Sequence, residues 1–199
     1  IEAFQKAFTN HCNEPLSPQL IIKTMHASID PREWRKLQKV EREQKNIHLI
    51  DDKLSRTELI HLYGSCDVLL SLHRAEGYGR ILAECLLLGL KVVATNYSGN
   101  TDFCAGALYH PVNYQPTFVP EGTYTQSKGQ YWGEPDIEHA SLQLQNSINN
   151  ISKSKESVQK NFESYYKKLS LSVVGEKYKQ RLLEIWSNQN SSSTMLTLT

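Results

Sequence analysis

The sequence predicts an α/β fold in which helices cover both faces of a parallel β-sheet. Two observations lead to this expectation. Short apolar runs alternate with helical segments between residues 20 and 110, which favours parallel strands joined by helical crossovers. The run over 67–72 is almost continuously apolar, as expected of a strand that is buried on both faces.

Local signals define where the individual elements begin and end. An Asp-Pro pair supplies the N-cap and the first position of a helix over 30–44. A Ser-x-x-Glu capping box opens a second helix over 55–64, and a glycine closes a third helix over 80–88. The other expected elements are a helix over 1–10, strands over 20–24, 46–50, 67–72, 91–95 and 107–110, a long loop over 113–134 and a helical region from 134 to 186.

The length of 199 residues is enough for one substantial core. We expect one domain over 1–187, followed by a flexible Ser/Thr/Asn-rich tail over 188–199. The chain starts with neither a Met nor a signal-peptide pattern, so we expect it to be a piece of a longer protein. The cysteines form no C-x-x-C pair and are expected to be reduced thiols of a cytoplasmic protein; they are Cys12, Cys66, Cys85 and Cys104.

Charge and hydropathy argue against nucleic acid as a partner and against a membrane-spanning segment. The net charge is +1, so no broad field attracts nucleic acid or an anionic membrane. No apolar run approaches the length of a membrane span, so membrane association is at most peripheral. We therefore expect a cytoplasmic location, with the inner face of the membrane as the other candidate.

The segment over 71–84 is the most informative part of the chain. Gly77 and Gly79 lie between the end of a predicted strand and the start of a predicted helix, where glycine permits close approach of a ligand to the backbone. The N–H groups from Gly79 to Leu82, which include that of Ile81, have no intrahelical partner and form an anion site with the helix dipole. A diphosphate is the natural occupant, because ligands of open α/β sheets bind at the carboxyl ends of the strands.

Two glutamates flank this turn. Glu76 precedes the helix and is expected at the rim of the cleft, whereas Glu84 lies about one turn inside the helix. Helical side chains lean toward the N-terminus, so the Glu84 carboxylate is expected to point back at the ligand, where it matches the vicinal hydroxyls of a ribose. The alternative is an ordinary helix-face glutamate. The apolar residues around Glu84 argue against it, because a charge among them needs a partner.

The same turn also partly matches the fingerprint of dinucleotide-binding proteins. Gly77-Tyr78-Gly79 follows a strand and opens a helix, as a G-x-G-x-x-G motif would. The third glycine is replaced by Leu82, and Asn96 stands where an acidic residue should end the next strand. A hydride-transfer cofactor is therefore not expected.

Three segments together resemble a known family. The E-x7-E pattern of Glu76 and Glu84 is followed by Gly-Leu-Lys-Val-Val-Ala-Thr over 89–95 and by Ser-Gly-Asn-Thr-Asp over 98–102. They resemble the C-terminal, donor-binding half of a GT-B-fold glycosyltransferase, most closely glycosyltransferase family 4. The resemblance is strong over 46–112, although Lys91 replaces the usual proline. Further resemblance to a bacterial polysaccharide or lipopolysaccharide subgroup rests on Tyr114, the segment 132–136 and His139.

The resemblance implies a Rossmann-like domain and a role for each motif. Glu76, the catalytic candidate, would meet hydroxyls of the donor sugar, and Glu84 would hold the ribose. The amides of Gly77, Tyr78 and Gly79 would approach the sugar and the diphosphate. The cleft beside the phosphates would be lined by Ser98, Gly99 and Asn100, and the base pocket would form at Ile50, Asp51, Asp52 and Lys53. No metal or other cofactor is implied, because such enzymes neutralise the diphosphate with helix N-termini and basic side chains.

The chain also departs from the family pattern. By the resemblance, we expect the first strand, whose segment carries the basic residues that clamp the diphosphate, and the acceptor-binding N-terminal domain to lie outside this sequence. Arg74 or Arg80 is a candidate substitute for the clamp; otherwise both are solvated charges. His73, at the strand end, is either a ligand contact or a structural hydrogen-bonder.

We therefore expect the parent protein to be a retaining glycosyltransferase. It would transfer a sugar from a UDP- or GDP-sugar to a saccharide or glycolipid acceptor in polysaccharide or lipopolysaccharide biosynthesis, and this fragment alone would be inactive. One alternative is a non-catalytic nucleotide-sugar-binding or scaffolding module. Another is a phosphorylase-like GT-B enzyme, for which no lysine suited to a pyridoxal cofactor is found.

Overall fold

The computed structural model describes residues 1–8, 17–148, 162–168 and 170–193, with side chains to residue 189. Parts of the expected first helix and of the expected helical region after 134 lie outside these residues, as do Cys12 and positions 194–199. The chain divides into two compact units, Ile1–Ser152 and Lys153–Thr199, where the sequence predicts a single domain over 1–187.

The first unit alternates helices and strands as expected. Its helices are α1 (Glu2–Phe8), α2 (Pro31–Glu43), α3 (Arg56–Ser65), α4 (Arg80–Leu87) and α5 (Ile137–Ile148). Its strands are β1 (Leu20–Lys23), β2 (Ile47–Ile50), β3 (Val68–Ser71), β4 (Lys91–Thr95), β5 (Tyr109–Val112), β6 (Tyr114–Phe118) and β7 (Tyr131–Pro135).

Strand pairing confirms the parallel α/β architecture. β1 pairs with β2 in parallel, with Leu20 opposite Ile47. β4 lies between β3 and β5, again in parallel, with Val68 opposite Lys91 and Val92 opposite Tyr109. Within the described residues these are two separate ladders of hydrogen bonds, and β6 and β7 form a third, antiparallel sheet.

A shared hydrophobic core joins the two parallel ladders. Phe4 and Phe8 of α1 pack edge to face, with ring centroids 5.1 Å apart. They belong to one cluster with Ile47 of β2, Val93 of β4 and Leu144 of α5. Burying such side chains contributes roughly 1.5–3 kcal/mol each. The core therefore holds the strands in place, so that their carboxyl ends can carry a site.

The capping signals in the sequence are confirmed. The Asp30 side chain accepts hydrogen bonds from the first turn of α2, as an N-cap should. Ser55 and Glu58 form the expected capping box at the start of α3. The three cysteines of the described residues, Cys66, Cys85 and Cys104, form no disulfide with one another. Burial raises the pKa of both Cys85 and Cys104 to about 12.

The expectation of a long loop over 113–134 is wrong, because this segment contains the β6–β7 hairpin. Proline and glycine in the segment indicated a loop, yet Pro116 lies within β6, opposite Gly133. Proline is tolerated in a strand at a sheet edge, where its missing N–H costs no ladder bond. Tyrosines and Phe118 supply the aromatic character that favours strands.

The second unit is helical where it is described. It contains a helical segment at 162–168 and the helix α6 (Leu171–Ser193). α6 extends into the segment 188–199, for which the sequence predicts a flexible tail. None of the described helices is long and apolar enough to cross a membrane.

Candidate functional site

The turn after β3 is held from behind by the segment after β4. The backbone oxygen of Glu76 accepts hydrogen bonds from the Ser98 hydroxyl, at 2.7 Å, and from the Gly99 amide, at 2.9 Å. A Cβ added to Gly99 would lie 2.1 Å from the backbone oxygen of Gly77, so no side chain fits at position 99. The structure thus brings Ser98 and Gly99 to the predicted turn, and the contacts that it shows for them support that turn.

The start of α4 has the features expected of an anion site. Gly79 is the N-cap residue of α4, and its φ of +88° is a backbone angle that favours glycine. No side chain caps the N–H groups of the first turn. The first helical hydrogen bond runs from Ala83 to Gly79, at 3.0 Å. The N–H groups of the first turn are therefore available to a bound anion.

The side chains around this helix start differ in exposure. Leu82 is 2% exposed and belongs to the core, so only its backbone can serve a ligand. Tyr78 is half exposed, and its ring lies 5.0 Å from that of Phe103. Ile81 is also exposed. Gly79 is buried like Leu82, so the exposed residues of this helix start are Tyr78, Arg80 and Ile81.

Glu84 lies in an ion-pair cluster that the sequence did not predict. Its side chain is only 14% exposed. Arg56, the first residue of α3, donates a hydrogen bond from Nη1 to Glu84 Oε2 at 2.7 Å, and Arg80 Nε lies 3.6 Å from Oε1. The hydrogen bond to Glu84 raises the pKa of the Arg56 guanidinium, which stays charged. The sequence predicts that a charge at position 84 needs a partner, and in the structure that partner is a pair of arginines of this chain.

Sequence reasoning missed Arg56 because the contact spans 28 residues of sequence. The position of Arg56 in the sequence is the one feature that could have indicated its role. A basic residue directly after the N-cap of a helix that follows a parallel strand lies on the carboxyl side of the sheet, where ligands bind.

Glu76 differs from Glu84 in having an open carboxylate. Among the described residues, no side chain pairs with it, and the residue is partly buried. Its Cγ would lie 3.4 Å from a Cβ on Gly79, so the side chain runs alongside the N-cap of α4. The carboxylate is free to accept hydrogen bonds from a ligand bound at this helix start.

His73 is bonded inside the protein through both ring nitrogens. Its Nε2 faces two acceptors, the backbone oxygen of Tyr97 at 3.1 Å and Asn100 Oδ1 at 3.0 Å, so Nε2 carries the proton. Nδ1 then accepts from Ser71 Oγ at 3.1 Å. Asn100 is fully buried and donates to the backbone oxygen of Thr95. This geometry favours the structural alternative for His73 and gives Asn100 a supporting role.

Arg74 anchors the β6–β7 hairpin. It forms a two-point ion pair with Glu134, in which Nη2 lies 2.7 Å from Oε1 and Nε donates to Oε2. Its guanidinium also lies 4.8 Å from the centre of the Trp132 ring, and its backbone oxygen accepts from the Gly133 amide at 2.9 Å. The hydrogen bond from Arg74 lowers the pKa of Glu134. Of the two candidate substitutes for a diphosphate clamp, Arg74 is therefore held at the hairpin, whereas Arg80 lies at the start of α4.

The loop after β2, the expected base pocket, is fastened to the end of β1. Asp51 Oδ1 accepts from the Thr24 hydroxyl at 2.7 Å and from the Ala27 amide at 3.3 Å, and the backbone oxygen of Ile50 accepts from the Thr24 amide. Asp52 and Lys53 are exposed. The loop leads directly into α3, whose first residue contacts Glu84.

Within the described residues, no group of three or more His, Cys, Asp or Glu side chains could hold a metal ion. Metal-independent chemistry stays a prediction.

Comparison with known proteins identifies structural relatives. No protein-family model and no curated protein sequence matches the chain. The chain is similar to the α,α-trehalose-6-phosphate synthase of Burkholderia multivorans, with 12% sequence identity and a TM-score of 0.61 over 96% of this chain and 41% of that one. It is also similar to the UDP-forming α,α-trehalose-phosphate synthase of Burkholderia xenovorans in complex with glucose-6-phosphate, with 12% identity and a TM-score of 0.63 over 92% and 39% of the two chains. The corresponding enzyme of Burkholderia vietnamiensis gives 11% identity and a TM-score of 0.62.

At such low identities the likeness shows the fold alone. It supports the expected GT-B type of α/β fold, while it does not distinguish family 4. The chain spans about two fifths of the length of these enzymes.

Proposed function

We propose that this chain is the nucleotide-sugar-binding domain of a retaining glycosyltransferase. Its parent transfers a sugar from a UDP- or GDP-linked donor to a saccharide or lipid-linked acceptor in polysaccharide or lipopolysaccharide biosynthesis. The observation that carries the proposal is the arrangement at α4. A helix start without a side-chain cap has an open carboxylate, Glu76, beside its N-cap and a second carboxylate, Glu84, one turn inside.

Each part of this arrangement has a role in donor binding. The first-turn amides of α4 hold the diphosphate and stabilise its growing negative charge as the sugar departs, an electrostatic effect that usually contributes most to such catalysis. Glu84 binds the ribose hydroxyls through lone pairs that Arg56 leaves free, because a carboxylate offers about four acceptor sites. Glu76 meets hydroxyls of the donor sugar. Ser98 and Gly99 keep the Glu76 turn in position.

The acceptor is bound by a part of the parent outside this chain. The neighbours with this fold are more than twice its length, and one was determined with glucose-6-phosphate. Those observations support a sugar or sugar derivative as acceptor. We expect the isolated chain to bind the nucleotide without transferring the sugar.

Titration calorimetry with UDP, GDP and their sugars tests donor binding. The chain should bind one nucleotide series. Glu84→Gln should weaken that binding by roughly 1.5–3 kcal/mol, the contribution of a charge-assisted hydrogen bond. Glu33→Gln is the matched control, since Glu33 is also a helical glutamate in an ion pair, with Lys36. Unchanged affinity in a folded Glu84→Gln variant would remove the ribose assignment, and no binding to either series would refute the proposal.

A non-catalytic nucleotide-sugar-binding or scaffolding module is the second candidate. The observation in its favour is that Arg56 already occupies one oxygen of Glu84, which reduces the acceptor capacity left for a ribose. Assays of the full-length parent separate the two functions. Turnover of the donor supports the transferase, whereas nucleotide binding without turnover supports the module.

A further inference from the structure

The cluster around Glu84 carries an excess of positive charge. Arg56 and Arg80 approach the same carboxylate from two helices, so the three side chains sum to one net positive charge. One carboxylate cannot neutralise two guanidinium groups. Among the described residues no other acidic side chain is paired with either arginine, so the site has a local excess of positive charge that favours an anionic ligand.

Both guanidinium groups retain donors for a ligand. A guanidinium has five N–H donors, and Arg56 uses one of its Nη groups on Glu84. The side chains of Arg56 and Arg80 are 59% and 82% exposed, so their other donors face solvent. Arg74 differs, because Glu134 accepts from its Nε and Nη2 and its guanidinium lies against the Trp132 ring. Arg56 and Arg80 therefore both offer donors beside Glu84 to a ligand.

The position of these donors matches the phosphates of a nucleotide. Arg80 is the first residue of α4, directly after the N-cap Gly79, and Glu84 holds Arg56 to the same helix. Arginine binds phosphate oxygens by parallel N–H bonds, which suits it to a dianionic group. We propose that Arg56 and Arg80 clamp the diphosphate of the nucleotide, with Glu84 as the residue that orients Arg56. This inference rests on the proposed function.

Separate measurements of phosphate and nucleoside binding test the clamp. For the wild-type chain, affinities for UDP and GDP are measured by calorimetry, and affinities for uridine and guanosine by competition. Arg56→Gln should lower the affinity for the preferred diphosphate by roughly tenfold, the value of a charge-assisted bond. It should leave the nucleoside affinity within about twofold, because the nucleoside lacks the phosphates. Arg56→Lys should restore part of the diphosphate affinity, because the charge is kept.

Salt dependence gives a second readout that a structural defect would not reproduce. Binding through two arginines should weaken as ionic strength rises, and Arg56→Gln should reduce that dependence. Circular dichroism confirms that the variant is folded. Arg181→Gln is the matched control, because Arg181 forms an exposed ion pair of similar length with Glu184, in the second unit. The control should change neither affinity nor salt dependence.

The outcomes separate this inference from the proposed function. If the wild-type chain binds neither nucleotide, the proposed function fails and the clamp fails with it. If it binds one and Arg56→Gln binds as tightly with the same salt dependence, the clamp alone is refuted. If Arg56→Gln weakens diphosphate and nucleoside equally, Arg56 acts only by positioning Glu84 at the ribose, and the clamp is also refuted.

Discussion

Ser98 has a backbone conformation that residues with side chains rarely adopt. Its φ and ψ angles are 77° and −153°, a region used almost only by glycine. A residue held there costs on the order of 1–3 kcal/mol. The Ser98 hydroxyl bonds to the Glu76 oxygen, and its own backbone oxygen accepts from the Thr101 hydroxyl at 2.7 Å. These bonds hold the strained residue against the turn that carries Glu76.

Two substitutions at this residue separate strain from hydrogen bonding. Ser98→Gly and Ser98→Ala both lose the hydroxyl, while only glycine removes the strain. Ser98→Gly should therefore be more stable than Ser98→Ala by about 1–3 kcal/mol in urea denaturation. Equal stability of the two variants would mean that position 98 is not strained.

The residues of the site were predictable to different degrees. Glu76 and Glu84 belong to one short segment whose glycine turn and helix start are visible in the sequence, so their placement could be predicted. Arg56 contacts Glu84 only because the fold brings α3 beside α4. The internal hydrogen bonds of His73 were equally hidden, since Asn100 reaches it from the segment after another strand.

At the scale of elements, the β6–β7 hairpin is fixed by contacts with residues that follow the parallel strands. Tyr97, which follows β4, packs its ring 4.8 Å from that of Tyr114 in β6. Arg74, which follows β3, bonds to Glu134 and contacts Trp132 in β7. The prolines and glycines of this segment indicate a loop. The contacts that stabilise the hairpin join segments far apart in the sequence, so a local pattern cannot predict them.

Gly133 makes this packing possible. A Cβ at this position would lie 2.7 Å from Cγ of the Tyr97 ring, closer than any real contact. Gly133→Ala should therefore destabilise the chain by about 1–3 kcal/mol, the usual effect of overpacking. Gly64→Ala is the control, because Gly64 lies in α3 with open space around it, and it should stabilise the chain by about 0.5–1 kcal/mol. Chemical denaturation measures both; a Gly133→Ala variant as stable as wild type would contradict the packing.

At the scale of the whole molecule, parallel strands and flanking helices were predictable from apolar runs and capping residues. The division into two units was not predictable, because it depends on which segments pack together in space rather than on the local sequence. The solved structures with this fold share only 11–12% of its residues, so the likeness shows the fold alone.

Ligand binding should be visible in the stability of the entire chain. A nucleotide that binds only the folded state, at 100 times its dissociation constant, adds about 2.7 kcal/mol to the free energy of unfolding. UDP or GDP, whichever binds, should raise the melting temperature accordingly, and the Glu84→Gln variant should show a smaller rise at the same concentration. Thermal denaturation followed by circular dichroism tests this, and an unchanged melting temperature with saturating nucleotide would contradict it.

The separation of the parallel strands into two ladders has a practical consequence. In the described part of the chain, β1 and β3 each bond to a neighbouring strand along one side only. Peptide groups along the other side of such strands are templates for a further strand, including one from a second molecule. The oligomeric state should therefore be measured, for example by size-exclusion chromatography, at the concentrations used to crystallise or titrate this chain.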